Sequence, residues 1–251
     1  MIKAVLFDLG GTIHTSQADE KRTLRYAEAM IDRLADYGIE IPDTPQGFLK
    51  VLNEGAVRYK RSSEKTLREE KPVDIWSDFY LKEYGISKEA LMPCAEELSF
   101  RYDYDRSKIM RRPHLKETMT ELAEMGLKLG MISNIISESV VPHFLMEYGI
   151  YHNMDVILTS AATGIRKPDP GIFRIAEEKL GLAPDELAYV GDTISRDIIG
   201  TRNAGWKVMI QIPSGRAVDS ILGFDSEEWK PDFTITDLSE IPEIIRQVNA
   251  S

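Results

Sequence analysis

The chain has 251 residues, of which 43% are hydrophobic and 29% charged, with a formal net charge of −10. That apolar content suffices for one packed core with a smaller companion, while the acidity argues against non-specific binding to nucleic acid or an acidic membrane surface. The single cysteine, Cys94, excludes an internal disulfide and suits a reducing, cytoplasmic compartment, and no apolar run resembles a membrane span or a secretion leader.

Read along the chain, residues 3–8 form a short, nearly continuous apolar run that ends in Asp8. From residue 15 to residue 112 no strand pattern is evident. Instead, Leu24, Ala27, Ile31, Leu34 and Ala35 recur at helical spacing before Gly38. Phe48, Leu52, Ala56 and Tyr59 repeat the spacing, as do Ile75, Trp76, Phe79, Tyr80 and Tyr84 before Gly85, and then Leu91, Ala95, Leu98 and Tyr102. About four amphipathic helices, enough for a small bundle, are expected. Beyond residue 112 the style changes. Helical patterns at 115–125, 173–180 and 197–204 each stop at a glycine, and they alternate with apolar runs at 127–134, 156–160, 187–192, 207–212 and 232–236. Apolar runs without alternation suit parallel strands covered on both faces. The pattern predicts an α/β protein: a Rossmann-like, doubly wound parallel sheet core formed by residues 1–14 and 113–251, with an inserted all-helical cap domain over residues 15–112. The two links, near residues 15–19 and 107–113, fall at the carboxyl end of the first strand, where open α/β sheets bind ligands.

Four polar segments sit at or just beyond strand ends. Asp8-Leu9-Gly10-Gly11-Thr12 places a carboxylate where burial is costly without a metal or a cation, followed by glycines that allow close backbone approach. Ser133-Asn134 offers a hydroxyl and turn amides to phosphate oxygens. Lys167, inside Arg166-Lys167-Pro168-Asp169-Pro170, is held out of helical geometry by the proline that follows it and presents a point charge. Gly191-Asp192 is followed by Asp197, a carboxylate pair suited to a hard cation such as Mg²⁺. Each segment alone has a structural reading as a strand-ending turn, a solvated lysine or a helix cap.

In combination, the order Asp, Ser, Lys and Asp pair on successive strands resembles the haloacid dehalogenase superfamily of hydrolases, in the branch whose helical cap lies between the first and second motifs. Residues 200–205 (GTRNAG) fit the same branch, and the resemblance spans essentially the whole chain. It implies a Mg²⁺-dependent phosphatase acting on a small phosphorylated metabolite. Asp8 would be the nucleophile that becomes aspartyl phosphate, with Ser133, Asn134 and Lys167 holding phosphoryl oxygens. Asp8, the Gly10 carbonyl and Asp192 would ligate the metal, and Asp197 would support that shell.

One position departs from the family pattern. The second aspartate of the first motif, the usual general acid and base, is Gly10 here. Loss of such a group costs roughly 10²–10⁴-fold in rate. His14 is a candidate substitute, and a positive φ at Gly10 would strain an aspartate there by roughly 1–2 kcal/mol. Two other readings remain open at this level. One is a phosphonate-cleaving relative that forms an imine through a cap lysine, for which Lys50 and Lys60 are candidates. The other is a degraded site that only binds. The substrate and the oligomeric state are not legible.

Overall fold

The computed structural model describes residues 1–215 and 229–250. β1 (Ala4–Phe7) lies inside a six-stranded parallel sheet with β4 (Lys128–Ser133), β5 (Met154–Thr159), β6 (Leu187–Gly191), β7 (Val208–Gln211) and β8 (Phe233–Thr234), in the order β5-β4-β1-β6-β7-β8. Every strand of this sheet falls on an apolar run of the sequence, and in the central strands β1, β4 and β6 the physical reason is the one anticipated: both faces are covered. Val5, Phe7, Leu129, Met131 and Val190 pack against α6 (Leu115–Glu124), α7 (Val140–Glu147) and α11 (Ile241–Ala250). Ala4, Leu6, Ile132 and Tyr189 pack on the other side against Ile172, Phe173 and Ala176 of α9 (Pro170–Leu180). The alternation of side-chain direction along a strand divides the residues between these two layers.

Residues 20–104 form α1 (Glu20–Asp36), α2 (Pro45–Thr66), α3 (Pro72–Ile75) continued by a π-helical turn at Trp76–Tyr80, α4 (Lys88–Leu91) and α5 (Ala95–Tyr104). They have their own apolar cluster, which includes Met30, Leu34, Phe48, Leu52, Trp76 and Leu98. The seam of α1 is rotated from the expected one. Tyr26, Ala27, Met30 and Leu34 are buried, whereas Ala35 is exposed and Leu24 and Ile31 are half-buried. The larger Tyr26 and Met30 fill the interior, and a lone alanine at the edge of an apolar arc loses little by facing water.

The links to this helical block are not irregular. β2 (His14–Gln17) and β3 (Lys108–Arg111) pair antiparallel, with His14 opposite Arg111. Neither shows a strand signature in sequence, because both are short, β2 is polar throughout, and the two apolar residues of the mostly exposed β3, Ile109 and Met110, are adjacent rather than alternating. This corrects the expectation that residues 15–112 contain no strand. A third tie joins the block to the sheet. Arg68 and Ile165 form an isolated antiparallel bridge, and the Arg166 amide donates to the Leu67 carbonyl.

Candidate active site

The strand order brings the expected residues together. β1 lies between β4 and β6, so Asp8, Ser133 and Asp192 emerge side by side at their carboxyl ends. Lys167 reaches the same place from the loop between α8 (Ser160–Thr163) and α9. Its ammonium donates to Asp8 Oδ1 at 2.8 Å, to Asp197 Oδ1 at 2.6 Å and to the Tyr189 hydroxyl at 2.8 Å. Lys167 is only 3% exposed and Asp197 1%. Burial alone would discharge Lys167, but Asp197 and Asp8 outweigh it and hold its pKa above the ordinary value. The lysine and the two carboxylates are thus one charge-compensated unit.

Asp8, Asp192 and Asp197 offer carboxylate oxygens that all lie within 4.8 Å of one another. Burial pushes the Asp8 carboxyl up, against Lys167. Burial, followed by Asp197 and Asp8, pushes Asp192 up to about 7. Burial also opposes ionisation of Asp197, yet Lys167, Arg196 and the Thr193 amide leave it below the usual range. Both oxygens of Asp197 are engaged, one by Lys167 and the other by the Asp192 and Thr193 amides and the Thr193 hydroxyl. Asp192 differs. Its Oδ2 accepts from the Ser214 hydroxyl at 2.6 Å, whereas its Oδ1 is buried with no hydrogen-bond partner among the described residues. An orphaned carboxylate oxygen beside Asp8 fits a hard cation.

The glycines of the first motif have distinct roles. Gly11 has φ +99°, and a Cβ there would stand 2.0 Å from Asp192 Oδ2, so this turn has no room for a side chain. Gly10 has no positive φ, and a Cβ on it would meet nothing within 4 Å among the described residues. The expected backbone obstacle at Gly10 therefore belongs to its neighbour.

A cavity of about 290 Å³ opens over these groups, lined by Asp8, Gly10, Ser133, Asn134 and Lys167 among others. Asn134 also acts on the backbone. Its side-chain amide donates to the Lys167 carbonyl at 2.9 Å and accepts from the Lys167 amide at 2.8 Å, fixing the lysine loop. His14 lines the cavity too, with its Nδ1 2.8 Å from the Tyr148 hydroxyl and its ring edge-on to Phe144 at 4.7 Å. Lys60 lines an adjoining cavity and pairs with Glu64 at 3.7 Å. Lys50 is exposed on α2 and lines neither cavity.

Several site residues escaped sequence reading. Tyr189, in the middle of β6, supports the lysine from below and donates to the Ile132 carbonyl. Tyr102, Asp103 and Arg106 bring the end of α5 to the cavity wall. Glu69, with a side chain shielded from water, accepts from Arg166, Ser160 and Tyr59 and clamps the helical block to the residue before Lys167. A buried carboxylate could not be told from a solvated one here, because Glu69 lies in the charge-rich stretch Lys65–Lys71. Glu69→Ala removes the acceptor of the Arg166 guanidinium and of the Tyr59 hydroxyl, and we expect it to destabilise the fold by about 3–5 kcal/mol. Chemical denaturation checks this, and an unchanged midpoint would show that the clamp carries no stability.

Over 99% of both chains, the sequence is 28% identical to a glyceraldehyde 3-phosphate phosphatase of Methanopyrus kandleri. It is 31% identical, over 59% of this chain and 56% of the other, to a phosphoserine phosphatase of Thermus thermophilus. A HAD phosphatase crystal structure from Thermococcus onnurineus superposes with a TM-score of 0.59 at 26% identity, covering 97% of this chain and 98% of that one. The model of the haloacid dehalogenase-like hydrolases matches residues 2–205, and the chain belongs to that family.

Proposed function

We propose that the protein is a cytoplasmic, Mg²⁺-dependent phosphatase that hydrolyses a small phosphorylated metabolite through an aspartyl phosphate on Asp8, with residues 15–112 acting as a cap on a core of residues 1–14 and 113–251. The observation that carries the reading is the buried Asp8–Lys167–Asp197 unit next to the unpartnered Asp192 Oδ1. The phosphatase relatives that match the full chain support it.

Asp8 attacks phosphorus. Lys167 holds Asp8 through Oδ1 and favours its anion, opposing the burial that pushes the carboxyl up. As the phosphoryl group arrives, the ammonium and the Ser133 hydroxyl bind its oxygens as charge shifts onto them. The Asn134 side chain is occupied by the lysine backbone, so this residue serves the phosphate through its main-chain amide. Asp8, the Gly10 carbonyl and Asp192 would hold Mg²⁺, and Asp197 would orient that set through its bonds to the Asp192 and Thr193 amides. When bound, the ion supplies neutralisation of phosphate charge.

No observation favours the imine route, since Lys60 is half-exposed in an ion pair and Lys50 is away from both cavities. Exhaustive chelation should reduce turnover of a generic phosphate ester at least about 10²-fold, and added Mg²⁺ should restore it. Full activity in the chelated protein would contradict the metal assignment, and borohydride inactivation dependent on a phosphonoaldehyde would favour the imine reading instead.

A further inference from the structure

The proposed reaction lacks a proton donor, because position 10 has no side chain. Asp8 displaces the leaving oxygen roughly in line, so that oxygen departs on the far side of phosphorus from Asp8. Tyr102 and Asp103 of α5, and Arg106 just after it, line the same cavity as Asp8 and are the candidates for a group that meets that oxygen. Arg106 cannot give up a proton usefully, and its guanidinium is tied to the Tyr102 hydroxyl and to Asn53. Asp103 differs from the carboxylates of the metal cluster. It belongs to the helical block, lines the same cavity as Asp8 and Lys167, and its Oδ2 is shielded from water with no hydrogen-bond partner among the described residues. Beside Gly10 there is open space rather than a competing group.

We propose that Asp103 is the general acid and base of this enzyme, replacing the carboxyl that Gly10 lacks. This rests on the phosphatase reading above. In the first half-reaction a bond forms between Asp8 and phosphorus and the bond from phosphorus to the leaving oxygen breaks. Its electron pair stays on that oxygen, which takes the proton of the Asp103 carboxyl. In the second half a water attacks phosphorus and passes its proton to the Asp103 carboxylate. The bond from phosphorus to Asp8 breaks, phosphate leaves, and both side chains return to their starting states. The groups that face Asp103 suit a resting acid. Burial pushes its carboxyl well above the ordinary range, and Glu69 and Glu96 reinforce this against the Ile136 amide and Arg106. The donor sits on the block clamped to the core by Glu69, so the acid is in place only when that block is docked. His14 is the competing donor, but its backbone is bridged to Gly10 of the first motif, and its Nδ1 is shared with Tyr148.

The test compares wild type, Asp103→Asn, Asp103→Glu, Gly10→Asp and the Asp103→Asn/Gly10→Asp double variant, each checked for folding by circular dichroism. The substrates are glycerol phosphate, a poor leaving group, and para-nitrophenyl phosphate, a good one. Asp103→Asn should lower glycerol phosphate turnover about 10²–10³-fold. With the nitrophenyl ester it should still give a burst near one product per site, followed by slow turnover as aspartyl phosphate accumulates. Gly10→Asp should restore at least about tenfold in the double variant, and Asp103→Glu should retain more activity than Asp103→Asn. Equal losses on both esters without a burst would overturn the assignment, as would no loss on either. A steep leaving-group dependence in His14→Ala but not in Asp103→Asn would transfer the role to His14. Wild-type protein inert toward both esters would instead overturn the phosphatase reading.

Discussion

Asp8→Asn should fold normally and lose turnover by about 10⁴-fold or more. The amide oxygen can still accept from Lys167, so the buried hydrogen bond at 2.8 Å has a replacement. The charge it removes is the one that burial and Asp197 already disfavour, so stability should hold or rise slightly. What the amide cannot do is attack phosphorus or offer an anionic oxygen to a cation. Phosphate release and a denaturation curve measured on the same preparation separate the two effects. Turnover near the wild-type rate would mean that Asp8 is not the nucleophile.

Lys167→Met should fail on both counts. The substitution conserves much of the side chain's apolar volume but leaves Asp8 and Asp197 buried together without their cation. We expect a stability loss of about 3–5 kcal/mol and a fall in turnover of about 10³-fold. Without Lys167 the two carboxyls titrate above their unfolded values, so they bind protons more tightly in the folded protein. The deficit should therefore shrink as pH falls and they become neutral, and grow as pH rises. Adding Asp8→Asn should recover part of the stability, since it removes one of the repelling charges, and the two changes should be strongly non-additive. A variant as stable as wild type across this pH range would mean that the lysine is not the group compensating these carboxylates.

The parallel core was readable from sequence because burial on both faces removes polar alternation, and runs such as residues 187–192 stand out for that reason. The motif residues were readable because each ends such a run. Ser133 and Asp192 come to flank Asp8 only through the strand order, which no local pattern encodes. Where the environment is made by distant parts of the chain, the sequence was silent. Tyr189 reads as one more apolar strand residue, although its hydroxyl holds Lys167. Glu69 reads as one more charge in a charge-rich stretch and Asp103 as charged surface beside an amphipathic pattern, and only tertiary packing buries Glu69 and half-buries Asp103. β2 and β3 were invisible because their pairing is held by backbone hydrogen bonds rather than by an apolar face. The seam of α1 was misplaced by one position because an apolar arc several residues wide does not say which edge faces inward.

The covalent role of Asp8 is tested most directly by stereochemistry at phosphorus. A thiophosphate ester made chiral with oxygen isotopes can be hydrolysed in labelled water and the configuration of the released thiophosphate determined. Attack by Asp8 followed by attack of water is two in-line displacements, each inverting the centre, so the product should show net retention. Net inversion would mean that water attacks the substrate in a single step and that no phosphoryl group ever rests on Asp8.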